Sequence, residues 1–148
     1  MIFKEITIYT SRLESQKAFY CQKLGLRLTA QNSSSFAIAI GTSILNFKYR
    51  KFATSYHIAV NIPSNKDMEA WDWLKSKVDL LQYEGDSLID FSKWNATALY
   101  FYDADMNIME LICRKNLDIQ SKKLFSERDF LQISEIGVPV KNLSLIHI

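Results

Sequence analysis

Glycine is scarce in this chain. Only four occur in 148 residues, and none falls in a phosphate-cradling pattern, so a nucleotide-binding loop is excluded. Cysteine is scarcer: Cys21 and Cys113 cannot build a disulfide framework, and their places in an expected helix and an expected strand mark them as reduced core thiols. No CxxC pair and no Ser/His/Asp set is present. Apolar runs stay short of the roughly 18 residues that a membrane span needs. The opening Met1-Ile2-Phe3-Lys4-Glu5 lacks a basic stretch followed by an apolar one, so no signal peptide is expected and a cytoplasmic location is the expectation. Charge of one sign is lacking as well. Eighteen basic residues against 16 acidic ones leave +2, and groups such as Lys48, Arg50, Lys51 or Lys122, Lys123 form no sustained patch, which argues against nucleic acid as a partner.

What is present is a globular composition, 48% hydrophobic and 23% charged, long enough to bury a core within one domain. From Ile2 to Thr10 the side chains alternate, with Ile6 and Ile8 on one face and Glu5, Thr7 and Tyr9 on the other, the pattern of a half-buried strand. Ser11 is expected to cap a helix from Arg12 to about Leu24, which Gly25 stops. Leu26 to Thr29 reads as a short strand, and Phe36–Ile40 with Ser43–Tyr49 as a hairpin about Gly41-Thr42. The order is β-α-β-β-β. It then repeats. Tyr56–Ile62 is a strand, Ser64 or Asn65 is expected to cap a helix to about Lys77 with Met68, Trp71, Trp73 and Leu74 inside, and Leu80–Tyr83 is a strand. A turn-rich stretch, 84–95, precedes a second hairpin of Ala98–Tyr102 and Ile108–Arg114.

Registration supports duplication. His57 follows Glu5 by 52 positions, Trp71 follows Phe19 by the same 52, and Glu110 follows Asn46 by 64; the surplus falls in loops, where insertions are tolerated. After Arg114 a polar, linker-like stretch leads to Ser134-Glu135-Ile136-Gly137, which resembles the opening Lys4-Glu5-Ile6-Thr7 and continues through Leu143 in the manner of Leu13. The expected organisation is residues 1–114 as one domain of two modules, about 1–51 and 55–114, followed by 115–148 as a linker plus an incomplete third module-like strand.

Two motifs carry a family resemblance: Leu13-Glu14-Ser15-Gln16-Lys17-Ala18-Phe19-Tyr20 with Leu24-Gly25-Leu26, and Tyr100-Phe101-Tyr102-Asp103-Ala104-Asp105-Met106-Asn107-Ile108-Met109-Glu110-Leu111. The second is similar to the F-x-D-P-D-G-N-x-x-E-L pattern, with Ala104 and Met106 in place of its proline and glycine. The sequence thus resembles the vicinal oxygen chelate superfamily of glyoxalases, bleomycin-resistance proteins and type I extradiol dioxygenases. The resemblance implies an α+β fold of paired βαβββ modules, an incompletely closed eight-stranded sheet around a cleft with helices outside.

In that superfamily the metal is held on the first and last strands of each module, which here places Glu5, Asn46, His57 and Glu110. Alternation separately sets Glu5, His57 and Glu110 on the concave face, opposite Ile6, Ile58 and Met109. One imidazole and two carboxylates form a coordination set for a divalent ion, whether Fe, Mn, Zn or Ni, with Asn46 as a weaker neutral donor. Glu5 in place of a histidine counts against dioxygenase chemistry. The first expectation is a metal-dependent lyase or dioxygenase relative acting on a small oxygen-bearing substrate, in which the ion polarises the substrate and Glu5 or Glu110 serves as base. The alternative is metal-free sequestration of a small aromatic or cationic compound, as in bleomycin-resistance proteins. Lys48 and Arg114 can meet an anionic group, Tyr100 and Tyr102 can stack on a planar ligand, and Trp94 can cover the opening. A terminal strand with no partner in its own chain predicts a homodimer, with Ile133–Val140 at the interface or disordered.

Overall fold

The computed structural model describes residues 2–140; Lys141, Asn142 and Leu143, read above as the continuation of a third module, and His147 lie outside the described residues. Two sheets organise the chain. The first joins β1 (Glu5–Thr10), β2 (Leu28–Gln31), β3 (Ser35–Ile40) and β4 (Ser43–Tyr49) in the order β1-β4-β3-β2. The second joins β5 (His57–Ile62), β6 (Leu88–Phe91), β7 (Ala96–Tyr102), β8 (Ile108–Arg114) and β9 (Gln132–Gly137) in the order β6-β7-β8-β5-β9. β1 runs parallel to β4 and β5 parallel to β8, and the remaining pairs are antiparallel. Thr7 stands opposite Asn46 and Ala59 opposite Glu110, so the repeat read from the residues is a repeat in space. Together they make an α+β fold of two mixed, unclosed sheets, with nine strands rather than eight among the described residues.

Alternation decides which faces meet. Ile8, Ile38, Leu45 and Phe47 from the first sheet and Ile58, Val60, Phe101 and Leu111 from the second are fully buried and belong to one cluster with Tyr20, Leu24, Ala70 and Leu74 from the helices. The helix-bearing faces of both sheets therefore share a single core. Their other faces, with Glu5 and Asn46 on one and His57 and Glu110 on the other, point away from it.

The helices differ from expectation at their starts. The first is an α-helix, α1 (Leu13–Lys17), that widens into a π-helical stretch, Ala18–Lys23, before Gly25 ends it at φ +81. Ser11 does not cap it; the Thr10 hydroxyl takes the Arg12 amide instead, at 3.0 Å. The second, α2 (Asp67–Lys75), has no side-chain cap. Ser64 and Asn65 are spent on the returning chain, Ser64 donating to the Ile119 carbonyl at 3.1 Å and Asn65 to that of Ser121 at 2.9 Å. Met68 is exposed, whereas Trp73 packs edge-on against Phe125 and Phe130. Phe125 lies in the polar stretch read as a linker and Phe130 directly after it.

Two strands were misplaced by sequence. Leu80–Tyr83 forms only isolated bridges, from Leu80 to Phe101 and from Tyr83 to Asp86. The strand lies in the turn-rich stretch, where Leu88–Phe91 pairs with β7; four residues are too few to show a period. The terminal strand is not unpaired either. β9 runs antiparallel to β5 with His57 opposite Gly137 and Ala59 opposite Glu135, so the premise from which a dimer was expected is not met. A close approach at Gly41 (φ +55) fixes the path into β9, since a Cβ there would lie 2.0 Å from the Leu131 carbonyl oxygen.

Candidate functional site

The turn between β7 and β8 aligns the strands that carry the site. Asp103 is buried and accepts hydrogen bonds from the Asp105 and Asn107 amides, the Asn107 and Gln16 side-chain amides and the Tyr20 hydroxyl, all at 2.7–2.9 Å. Met106 stands at φ +63 where the resembled pattern has glycine. The turn thus adopts the left-handed conformation that pattern requires, with the backbone strain that glycine would avoid.

From this turn β8 delivers Glu110 to the outward face. Its carboxylate is buried, and Oε2 lies 2.8 Å from Nε2 of the half-exposed His57 on β5. With the carboxylate ionised, the imidazole donates. That hydrogen bond raises the His57 pKa above 6.5 against the opposing effect of burial, and the charges of Glu110 and Glu135 add to it. Tyr100 stands opposite Glu110 on β7, its ring centroid 6.2 Å from that of His57. Burial, then the neighbouring Glu110 charge, push the Tyr100 phenol well above its usual value, so it stays a neutral donor across the physiological range.

Beside this trio opens a cleft of about 770 Å³, lined by His57, Tyr100 and Ile108 and by the segment Leu81–Phe91. Tyr83, Asp86, Asp90 and Phe91 belong to it and were not singled out from the sequence, because the stretch that carries them reads as turn. Trp94 does not line the cleft; it stacks on Phe91 at 5.5 Å. Tyr102 flanks His57 from the other side. Arg114 is engaged elsewhere, donating to Asn61 Oδ1 at 3.1 Å and to Glu135.

Glu5 is not in this group. It accepts from the Asn46 side-chain amide at 2.7 Å on the outward face of the first sheet, where Lys48 is exposed. Among the described residues no three of His, Cys, Asp and Glu gather as a metal set. Within one chain, His57 and Glu110 give two donors already bonded to each other. The described residues of a single chain do not fit the expected metal site.

No family model matches the sequence, and no curated protein matches it. Solved structures do resemble it. An integron cassette protein from the mobile metagenome of the Halifax Harbour sewage outfall superposes with a TM-score of 0.66 at 17% identity, over 75% of this chain and 97% of the other. A glyoxalase/bleomycin resistance protein/dioxygenase from Nocardioides gives 0.60 at 19% identity, over 76% and 82%. A lactoylglutathione lyase from Agrobacterium tumefaciens gives 0.60 at 13% identity, over 74% and 90%. The fold is that of the vicinal oxygen chelate proteins. Among the described residues no helix is long and apolar enough to cross a membrane.

Proposed function

We propose that this chain binds a small molecule in the cleft beside His57, using the His57–Glu110 pair as its polar anchor and the aromatic walls as its grip. The observation that carries this reading is the 2.8 Å pair at the wall of a cleft of about 770 Å³. A concave, largely apolar hollow with a few convergent polar groups is the usual form of a ligand site. His57 supplies a hydrogen-bond donor, Tyr100 a neutral hydroxyl, and the Tyr83 and Phe91 rings can stack on a planar ligand. These side chains serve recognition without an ion, which matches the sequestration alternative better than the metal enzyme.

The test is thermal shift followed by calorimetry with a panel of planar aromatic amines, with and without EDTA. Stabilisation that EDTA leaves unchanged, and that His57→Ala weakens by about tenfold or more, is expected from loss of a charge-assisted hydrogen bond. Binding that appears only with added divalent ions would overturn it.

One observation favours a second reading. Glu5 and Asn46 hold on β1 and β4 the places that His57 and Glu110 hold on β5 and β8. A two-fold pair of chains that set these outward faces together would unite four donors and complete the metal set across copies. Metal analysis of protein purified without chelator, beside sedimentation velocity, checks this. A bound ion that Glu5→Ala removes from a dimer supports it, and a metal-free monomer under divalent supplementation rules it out.

A further inference from the structure

His57 and Ile108 wall two hollows, not one. On one side lies the cleft already described; on the other lies a hollow of about 560 Å³, lined by Tyr56, Tyr102, Met106, Val138 and Pro139, with Ser55 and Gly137. Their chemistry is opposite. The first carries Glu84, Asp86 and Asp90 among its lining residues, with Glu110 behind His57 and, among the described residues, no lysine or arginine. Among the described residues the second has no charged group except the shared His57, and its Tyr102, Met106 and Val138 are substantially exposed. Exposed apolar side chains concentrated at a concave site mark a surface meant to be covered. The hollows adjoin through two shared residues, so one molecule can occupy both.

Resting on the binding function proposed above, we propose that the ligand is an elongated cationic amphiphile. Its amine or quaternary ammonium end sits in the acidic, aromatic cleft, and its apolar arm crosses His57 and Ile108 into the second hollow. Tyr83, Tyr100 and Phe91 offer ring faces to the cation. The arm gains by burial against Met106 and Val138. Backbone contact holds the dividing wall in place, because Gly137 lies so close to His57 that a Cβ there would sit 3.2 Å from the His57 Cβ.

Isothermal titration of the full chain with tetramethylammonium and with n-alkyltrimethylammonium ions of increasing chain length, below micelle formation, tests this. In the wild-type chain affinity should rise by up to about fourfold per added methylene while the arm enters the second hollow. Val138→Asp and Met106→Asp, both at exposed positions, should flatten that rise. Asp90→Asn should weaken every member by a similar factor. A wild-type affinity indifferent to chain length, or a rise that survives both aspartate variants, overturns the two-hollow ligand and leaves the binding function standing. Binding of neutral planar compounds without any ammonium ion overturns the cationic end alone. Failure of every probe, the planar amines included, removes the binding function itself.

Discussion

At the scale of single residues, His57 is where sequence and environment interact most strongly. Its pKa is raised by the hydrogen bond to Glu110, opposed by burial, and raised further by the charges of Glu110 and Glu135; Tyr100 faces it as a neutral phenol. A raised folded-state pKa fixes the direction of the pH dependence. The pair's contribution to stability is fully present below the unfolded imidazole value of about 6.5 and is lost as pH rises through the higher folded value. Glu110→Gln removes the first-named cause of the shift. We predict that this variant titrates His57 at lower pH than the wild type and loses the corresponding pH dependence of melting. Proton NMR of the imidazole across pH 5 to 9 reads the first and thermal melts read the second. An unchanged imidazole titration would mean that Glu110 does not govern His57.

At the scale of elements, the β7–β8 turn deserves its place in the motif for structural reasons. Asp103 gathers donors from α1, from the π-helical stretch and from its own turn, so it fixes the first module's helix to the second module's sheet. Asn107 extends the same network by accepting from the Tyr56 amide at 2.8 Å, just before β5. Asp103→Ala strands the buried Gln16 amide without an acceptor and leaves the Tyr20 hydroxyl only the weak acceptor Met109 Sδ, 3.1 Å away, at about 1–3 kcal/mol for each lost carboxylate bond. Chemical denaturation is expected to show a loss of about 3 kcal/mol or more with the m-value unchanged. A loss under about 1 kcal/mol would show that neither donor depends on it. Asp103 and Asn107 of this motif therefore serve the fold rather than the site.

At the scale of the whole molecule, the stretch after β8 closes the structure. Phe125 and Phe130 are buried beside Trp73, the Leu131 carbonyl accepts from the Thr42 amide, and β9 covers the β5 edge. A chain ending at Arg114 would expose that edge and the apolar seat of both phenylalanines, which is a template for pairing between chains. Sedimentation velocity is expected to show self-association of the truncated chain together with a lower Tm. Truncated protein that sediments and melts like the full chain would show that the segment is an appendage.

The sequence by itself determined the module order, the repeat offset and the parity that puts His57 and Glu110 on one face, because strand alternation and duplicated spacing are local facts along the chain. The close contact of His57 with Glu110 follows from those facts once β5 and β8 pair. What only the tertiary structure decided involved residues whose roles depend on distant partners. Four residues of β6 show no period until β7 lies beside them, Ser64 and Asn65 are claimed by residues more than fifty positions away, and β9 finds its partner in β5. The separation of Glu5 from His57 belongs to the same class. Alternation says which face of its own sheet a side chain occupies, but two sheets that share a core turn those faces apart, and only packing sets that direction.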